Sequence, residues 1–204
     1  MSAEPLFPIF LKLTGRRVLV VGAGPMGAAK AASVVEAGAT VTVVAPDVCD
    51  AMQRLPVTIA RRGFREADLD GAWLVIAAAP PDVNRLVTEA ASARQLFVNA
   101  VDDPAHATAF AASVVSRGPV TLAISTSGLA PALAGLLREA LDDLLPADLG
   151  AWVEEAVRQR AQWRRDGVPM DARRHLLLDR LNEIYRHRAA ARELGPVNPP
   201  GGAR

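Results

Sequence analysis

Through the first half of the chain, hydrophobic residues fall in short aliphatic bursts separated by small, helix-forming stretches. RVLVV at 17–21 has the continuous apolar texture of a strand covered on both faces. It breaks at Gly22 into residues that run helically from Pro25 to Ala37, and Gly38 marks the stop. TVTVVAP at 40–46 is β-branched and ends at a proline, which predicts a second strand. Strand, tight turn, helix and strand within about 30 residues predict a βαβ unit. VTIARR (57–62), WLVIAAA (73–79) and LFVNAV (96–101) predict further strands, with helical spacing over 82–94. The alternation predicts an α/β fold with a doubly wound parallel sheet through about residue 112.

The second half reads differently. PVTLAIST (119–126) predicts one more strand, and Pro131 stands where a first helical residue would, opening ALAGLLREALDDLL. Pro146 interrupts that helix. Residues 147–166 and 171–192 read as wholly helical, hinged at 167–169. The tail GPVNPPGGAR carries too much Pro and Gly to order by itself. The expected division is an α/β domain over 1–112, a connecting region over 113–146, a helical domain over 147–194 and a flexible tail over 195–204.

Composition changes this picture little. Half of the chain is hydrophobic and 4% is aromatic, so the core is built from aliphatic residues and alanine, as helices packed on a parallel sheet require. A net charge of +1 argues against a dedicated nucleic-acid binder. Residues 151–204 nevertheless hold 11 Arg against 7 acids, leaving the rest net negative. A basic helical half suits an acidic ligand, although a solvated helix face explains such charge more often. Cys49 is the single cysteine, which excludes an intrachain disulfide and a Cys-rich metal site. His106, His175 and His187 have no metal-ligand spacing and read as surface residues. MSAEPLFPIFLKL has no basic leader and is broken by Pro8 and Lys12, so a signal peptide is not expected. No apolar run reaches the roughly 20 residues of a membrane span, and a cytoplasmic location is expected.

Gly22, Gly24 and Gly27 form G-x-G-x-x-G between a strand and a helix. In such a loop the first glycine makes the turn, the second admits a pyrophosphate and the third lets helix and strand approach. The helix N-terminus then offers free N–H groups to the phosphates. The acid that usually bonds the ribose 2′-hydroxyl is replaced by Ala45-Pro46, with Asp47 just beyond. No Arg adjoins it in the sequence to take a 2′-phosphate, and the balance favours NAD over NADP.

NAVDDPAHATAF (99–110) follows a strand, so Asp102 and Asp103 fall at the carboxyl edge of the sheet where ligands bind. A carboxylate there can be a general base. Asp103 is assigned to the turn that Asp-Asp-Pro favours; for Asp102 turn and base stand level on the residues alone. STSGLAP (125–131) brings Ser125, Thr126 and Ser127 to a helix N-terminus, a seat for an anion or carboxylate. Capping accounts for one of the three hydroxyls.

In order and spacing, PIFLKLTGRRVLVVGAGPMGAAKA, EAGATVTVVAP, LDGAWLVIAAAPPDVN, FVNAVDDP and TLAISTSGLAPALAGLLREALDDLLP resemble the precorrin-2 dehydrogenases, found alone or as the N-terminal part of siroheme synthase. The resemblance covers about residues 6–150. It implies a Rossmann-like NAD-binding domain, a small dimerisation region and a helical C-terminal domain, in an interlocked homodimer. The implied reaction is NAD-dependent oxidation of precorrin-2 to sirohydrochlorin. Some members also insert Fe²⁺ into sirohydrochlorin, without a protein metal site, because the tetrapyrrole supplies the ligands. Asp102 matches the family's catalytic aspartate. The implied cofactor contacts are Gly22, Ala23, Gly24, Pro25, Met26, Gly27, Ala45, Pro46, Ala78, Ala79 and Asn99. Ser125, Thr126, Ser127 and Gly128 lie on the implied tetrapyrrole side, and because that substrate carries carboxylates, Arg138 and the arginines between Arg158 and Arg165 are expected to meet them.

The chain departs from the family pattern in several places. Ala23 replaces the middle glycine, Ala79 and Pro80 replace a Thr and an acid, no Pro follows Phe110, and Ser127 and Ala130 replace a glycine and a serine. The last changes bear on chelation more than on dehydrogenation. The alternatives are therefore a dehydrogenase without chelatase activity, or a non-catalytic NAD-binding redox-sensing module.

Overall fold

The computed structural model describes residues 5–193; the tail expected over 195–204 lies outside the described residues. The chain forms two compact units, Met1–Ser113 with Ile124–Leu136, and Val114–Ala123 with Leu137–Arg204.

In the first unit, strands β1 (Arg17–Ala23), β2 (Thr40–Val48), β3 (Thr58–Ala60), β4 (Leu74–Ala77) and β5 (Phe97–Ala100) make one sheet in the order β3-β2-β1-β4-β5. All its pairs are parallel. Helices α1 (Pro25–Glu36), α2 (Asp50–Gln53) and α3 (Pro81–Ser92) connect the strands, with a 3₁₀ turn at Glu66–Leu69. Val18, Val20, Val41 and Val43 pack with Ala28, Ala31 and Val34 of α1 on one face. Leu19, Val21, Val44 and Val75 pack with Val87 and Ala91 of α3 on the other. Successive strand residues point to opposite faces, so a sheet covered twice needs the unbroken aliphatic runs seen in the sequence. The strand order reverses between β1 and β4, and a crevice at such a switch point is where ligands bind this architecture.

Two strands differ from expectation. Pro46 does not end β2, which continues to Val48. β1 shifts register between Val21 and Ala23, Ala23 pairs with Val48, and the Cys49 N–H donates to the Ala23 carbonyl at 3.0 Å. Pro46 is exposed within this irregular stretch, where its missing N–H is tolerated. The strand expected at 119–126 is β7 (Val120–Ile124), which pairs with β6 (Ser113–Arg117), an unanticipated strand, in a separate two-stranded sheet.

A group of polar bonds ties Arg17 and Arg62 to the 65–70 segment. Arg62 holds Asp68 with two bonds of 2.8 and 2.6 Å, and the Arg65 N–H donates to the same carboxylate at 2.9 Å. Arg17 donates to the Asp68 and Asp70 carbonyls. The Arg62 bonds, helped by Arg65 and opposed by burial, hold the Asp68 carboxyl below the usual carboxylate range. A lowered pKa means that this pairing stabilises fully above about pH 4 and is lost as the pH falls further, through the folded-state value. Asp68→Asn is expected to cost about 1–3 kcal/mol at neutral pH. It should also flatten the acid limb of stability measured by urea unfolding across pH; parallel acid limbs for the two proteins would refute the pairing's role.

The second unit contains the hairpin, the rest of α4 (Pro131–Leu144), α5 (Leu149–Arg165) and α6 (Met170–Glu193). Glu155 of α5 is buried and accepts from Arg158 and Gln159, with Arg180 of α6 at 3.5 Å. Arg158 foremost, then Gln159, hold its carboxyl below the usual range. Part of the basic character of this half is thus neutralised internally.

Candidate functional site

The glycine loop joins β1 to α1. Gly22 has φ 101°, and a Cβ there would lie 2.2 Å from the Ala78 carbonyl oxygen. A Cβ on Gly27 would lie 2.3 Å from the Gly22 carbonyl oxygen. Packing of the protein on itself therefore demands both glycines. Gly24 is different: its φ is −75°, open to any residue, and an added Cβ meets nothing within 4 Å. Gly24 caps α1 without a side-chain bond, Pro25 follows, and the first turn holds no acid. The helix ladder begins with Ala28 N–H donating to the Gly24 carbonyl at 2.9 Å, so the earlier N–H groups of Met26 and Gly27 have no acceptor within the helix. This is a positive pole with no acid in its own first turn.

Two further loops stand at the same edge of the sheet. After β4, the Ala79 N–H donates to the buried Asn84 side chain at 2.9 Å, which ties the 78–80 loop to α3. After β5, Asn99 donates to the Ala109 carbonyl at 2.9 Å and the Thr108 hydroxyl accepts the Val98 N–H at 2.8 Å. These bonds hold the 99–110 loop along the open edge of β5. Within it Asp102 takes φ 59°, a left-handed conformation that Asp tolerates better than most residues. Its carboxylate has no hydrogen-bond or ion-pair partner among the described residues. The neighbouring Asp103 carboxylate is taken by His106 Nδ1 at 2.8 Å.

Two cavities meet at Asp102. One, of about 350 Å³, is bounded by Met26, Ala78, Ala79, Pro81, Asn84 and the 101–103 segment. The other, of about 310 Å³, is bounded by Met26, Lys30, Asn99, the 100–104 and 110–113 segments, Ser125, Thr126 and Gly128. They share Met26, Val101, Asp102 and Asp103. The Ser125 hydroxyl accepts the Ser127 N–H at 3.1 Å, and the Thr126 hydroxyl accepts the Ala130 N–H at 3.2 Å. Each hydroxyl keeps its own proton to donate.

Of the residues singled out in the sequence, Met26, Ala78, Ala79, Asn99, Asp102, Ser125, Thr126 and Gly128 border these cavities. Gly22, Ala23, Gly24, Pro25 and Gly27 form the loop beside them. Within β2, Ala45 is buried in the core and Pro46, next to it, is exposed. Ser127 makes a turn with φ 54°. Arg138 falls in the other unit, its guanidinium on Glu139 at 3.0 Å. Sequence reasoning gave no role to Lys30 or Asn84. The available signal for Lys30 was its spacing of four from Met26, which puts both on one face of α1. Among the described residues no cluster of His, Cys, Asp or Glu could hold a metal, and no helix is long and apolar enough to cross a membrane.

Fold and loop together are those of a Rossmann-like domain for a nicotinamide cofactor. Residues 9–113 match the family described as putative NAD(P)-binding, and the chain belongs to that family. Residues 117–144 match the model described as sirohaem biosynthesis protein central. The siroheme synthase of Citrobacter koseri is 40% identical over 172 residues, 82% of this chain and 38% of that protein. That of Photorhabdus laumondii subsp. laumondii is also 40% identical over 172 residues, 82% of this chain and 37% of that protein. The chain thus spans well under half the length of these curated relatives. A solved precorrin-2 dehydrogenase, SirC, superposes with a TM-score of 0.69 at 27% identity, covering 85% of this chain and 88% of its own. The resemblance read from the sequence holds in both matched segments.

Proposed function

We propose that this chain is an NAD-dependent precorrin-2 dehydrogenase, forming sirohydrochlorin for siroheme synthesis as a cytoplasmic homodimer. The observation that carries this reading is Asp102, an unpaired carboxylate bordering both a cavity beside the glycine loop and one beside the Ser125–Thr126 loop. A bound dinucleotide would supply the acceptor for the hydride that leaves the macrocycle. Gly24 and the N–H groups of Met26 and Gly27 would hold its pyrophosphate, and Ala78 and Ala79 border the adjoining cavity. Asp102 accepts the proton lost as the hydride departs, so the substrate gives up two hydrogens in all. Ser125 and Thr126 donate to substrate carboxylates. Exposed leucines at 133, 136, 137 and 144 on α4 support a dimerisation region there.

NAD is the oxidant proposed. One observation stands on the side of NADP: Arg61 directly follows β3, whose last pair joins Ala60 to Val44 of β2, just before Ala45 and Pro46. The test is an anaerobic incubation of purified protein with precorrin-2 and either dinucleotide, followed by visible spectroscopy. A sirohydrochlorin spectrum forming with NAD⁺ is the expected result, and faster conversion with NADP⁺ would correct the cofactor. A static spectrum despite measurable NAD⁺ binding would put the non-catalytic redox-sensing module ahead. Asp102 is also placed to accept pyrrole protons as Fe²⁺ enters sirohydrochlorin. Adding Fe²⁺ to that product in the same cuvette separates a chelating enzyme from a dehydrogenase alone.

A further inference from the structure

The cavity bordered by the Ser125–Thr126 loop contains a cation that neither the sequence motifs nor the proposed reaction uses. Lys30 is half-buried on α1, four residues after Met26, and both border the space. The helix presses Gly27, Ala28, Ala31 and Val34 into the core, and Lys30 stands off that buried face. α1 carries one acid, Glu36, six residues away and beyond the i+4 reach of a helical pair. Among the described residues the Lys30 ammonium has no ion-pair or hydrogen-bond partner. Of the two acids bordering the cavity, Asp103 is engaged by His106 and Asp102 lies beyond ion-pair distance of Lys30. The cavity therefore has a lysine and an aspartate that do not neutralise each other, together with two hydroxyls whose protons are free to donate.

We propose that Lys30 is the substrate anchor of this cavity, binding a peripheral carboxylate of the tetrapyrrole. The inference rests on the dehydrogenase reading and deepens it. A half-buried ammonium keeps its stem along the cavity wall and its charge toward water, and gains most from an anion that enters the same space. With Ser125 and Thr126 on other carboxylates, Lys30 fixes which part of the macrocycle meets Asp102. It acts in binding and takes no proton.

Lys30→Met is expected to raise the KM for precorrin-2 about tenfold, with kcat little changed. Lys30→Arg should recover most of that loss, because the charge is retained. Sirohydrochlorin titrated without dinucleotide should bind the Met variant about tenfold more weakly, with a smaller salt dependence than wild type. NAD⁺ affinity should be the same in all three proteins. Wild-type KM and sirohydrochlorin affinity in Lys30→Met would overturn the proposal, and an equal loss of NAD⁺ affinity would assign Lys30 to the dinucleotide instead. Sirohydrochlorin binding weakened by the substitution, in a wild type that does not oxidise precorrin-2, would uphold the anchor and refute the dehydrogenase. A wild type that binds no sirohydrochlorin would refute both.

Discussion

Asparagine at position 102 is expected to slow precorrin-2 oxidation by about 10²- to 10⁴-fold, the usual contribution of a positioned general base. Asp102→Asn is the informative replacement because the backbone there has φ 59°. Asn adopts that conformation at least as readily as Asp, whereas Ala pays about 1–2 kcal/mol for it. An Ala variant would confound loss of the carboxylate with movement of the 99–110 loop. The amide keeps size and polarity but has no basicity. Single-turnover measurement with NAD⁺ in excess reads the chemical step, and melting temperature and NAD⁺ affinity should stay at wild-type values. Turnover of Asp102→Asn at the wild-type rate would place the base elsewhere and leave the unpaired carboxylate without a catalytic role. An equal fall in Asp102→Asn and Asp102→Ala, with the Ala variant also less stable, would separate the chemical effect from the conformational one.

Legibility in the sequence followed burial. β1 and β4 were readable because both of their faces are covered, which forces an unbroken aliphatic run, and β2 and β5 because their buried positions are Val and Ala. The end of β2 was not, because its last pairing depends on a register shift in β1, a property of two strands together. β6 (Ser113–Arg117) escaped notice because SVVSR is short and half polar, and it exists by pairing with β7. The glycine loop and the separate jobs of its three glycines were readable as a motif, but the atom that crowds Gly22, the Ala78 carbonyl oxygen some fifty residues away, was not. Lys30 had no role in the sequence, because the cavity that it borders is built from three separate segments, near residues 30, 100 and 125. Arg138 was expected to meet carboxylates; it belongs to the second unit, where its guanidinium lies 3.0 Å from its neighbour Glu139. Asp102 itself was chosen by resemblance; the residues alone could not separate it from a turn.

The glycine loop yields the other large effect, and it divides between stability and binding. Gly22→Ala sets a methyl group 2.2 Å from a backbone oxygen at a φ of 101°, where an L-residue is strained whatever the space. Neither the β1 backbone nor the Ala78 carbonyl is a flexible side-chain end, so the collision cannot be relieved by a rotamer change. A loss of about 3 kcal/mol or more in urea unfolding is expected, combining backbone strain with overpacking. Gly24→Ala should do the reverse. Its φ suits alanine and its Cβ meets no protein atom, so unfolding should change by less than about 1 kcal/mol. NAD⁺ affinity should nevertheless fall at least about tenfold, because the methyl group stands where the pyrophosphate must approach the backbone. The contrast is the test. If Gly24→Ala binds NAD⁺ as the wild type does, the loop does not seat a pyrophosphate at that position, and the cofactor assignment fails at its structural root. If both variants lose stability together, Gly24 is a packing glycine like Gly22, and its freedom from protein contact has been misread. Stability lost at 22 with binding retained by the folded fraction, and binding lost at 24 with stability retained, can arise only if the loop serves two masters: the sheet on one side and a phosphate on the other.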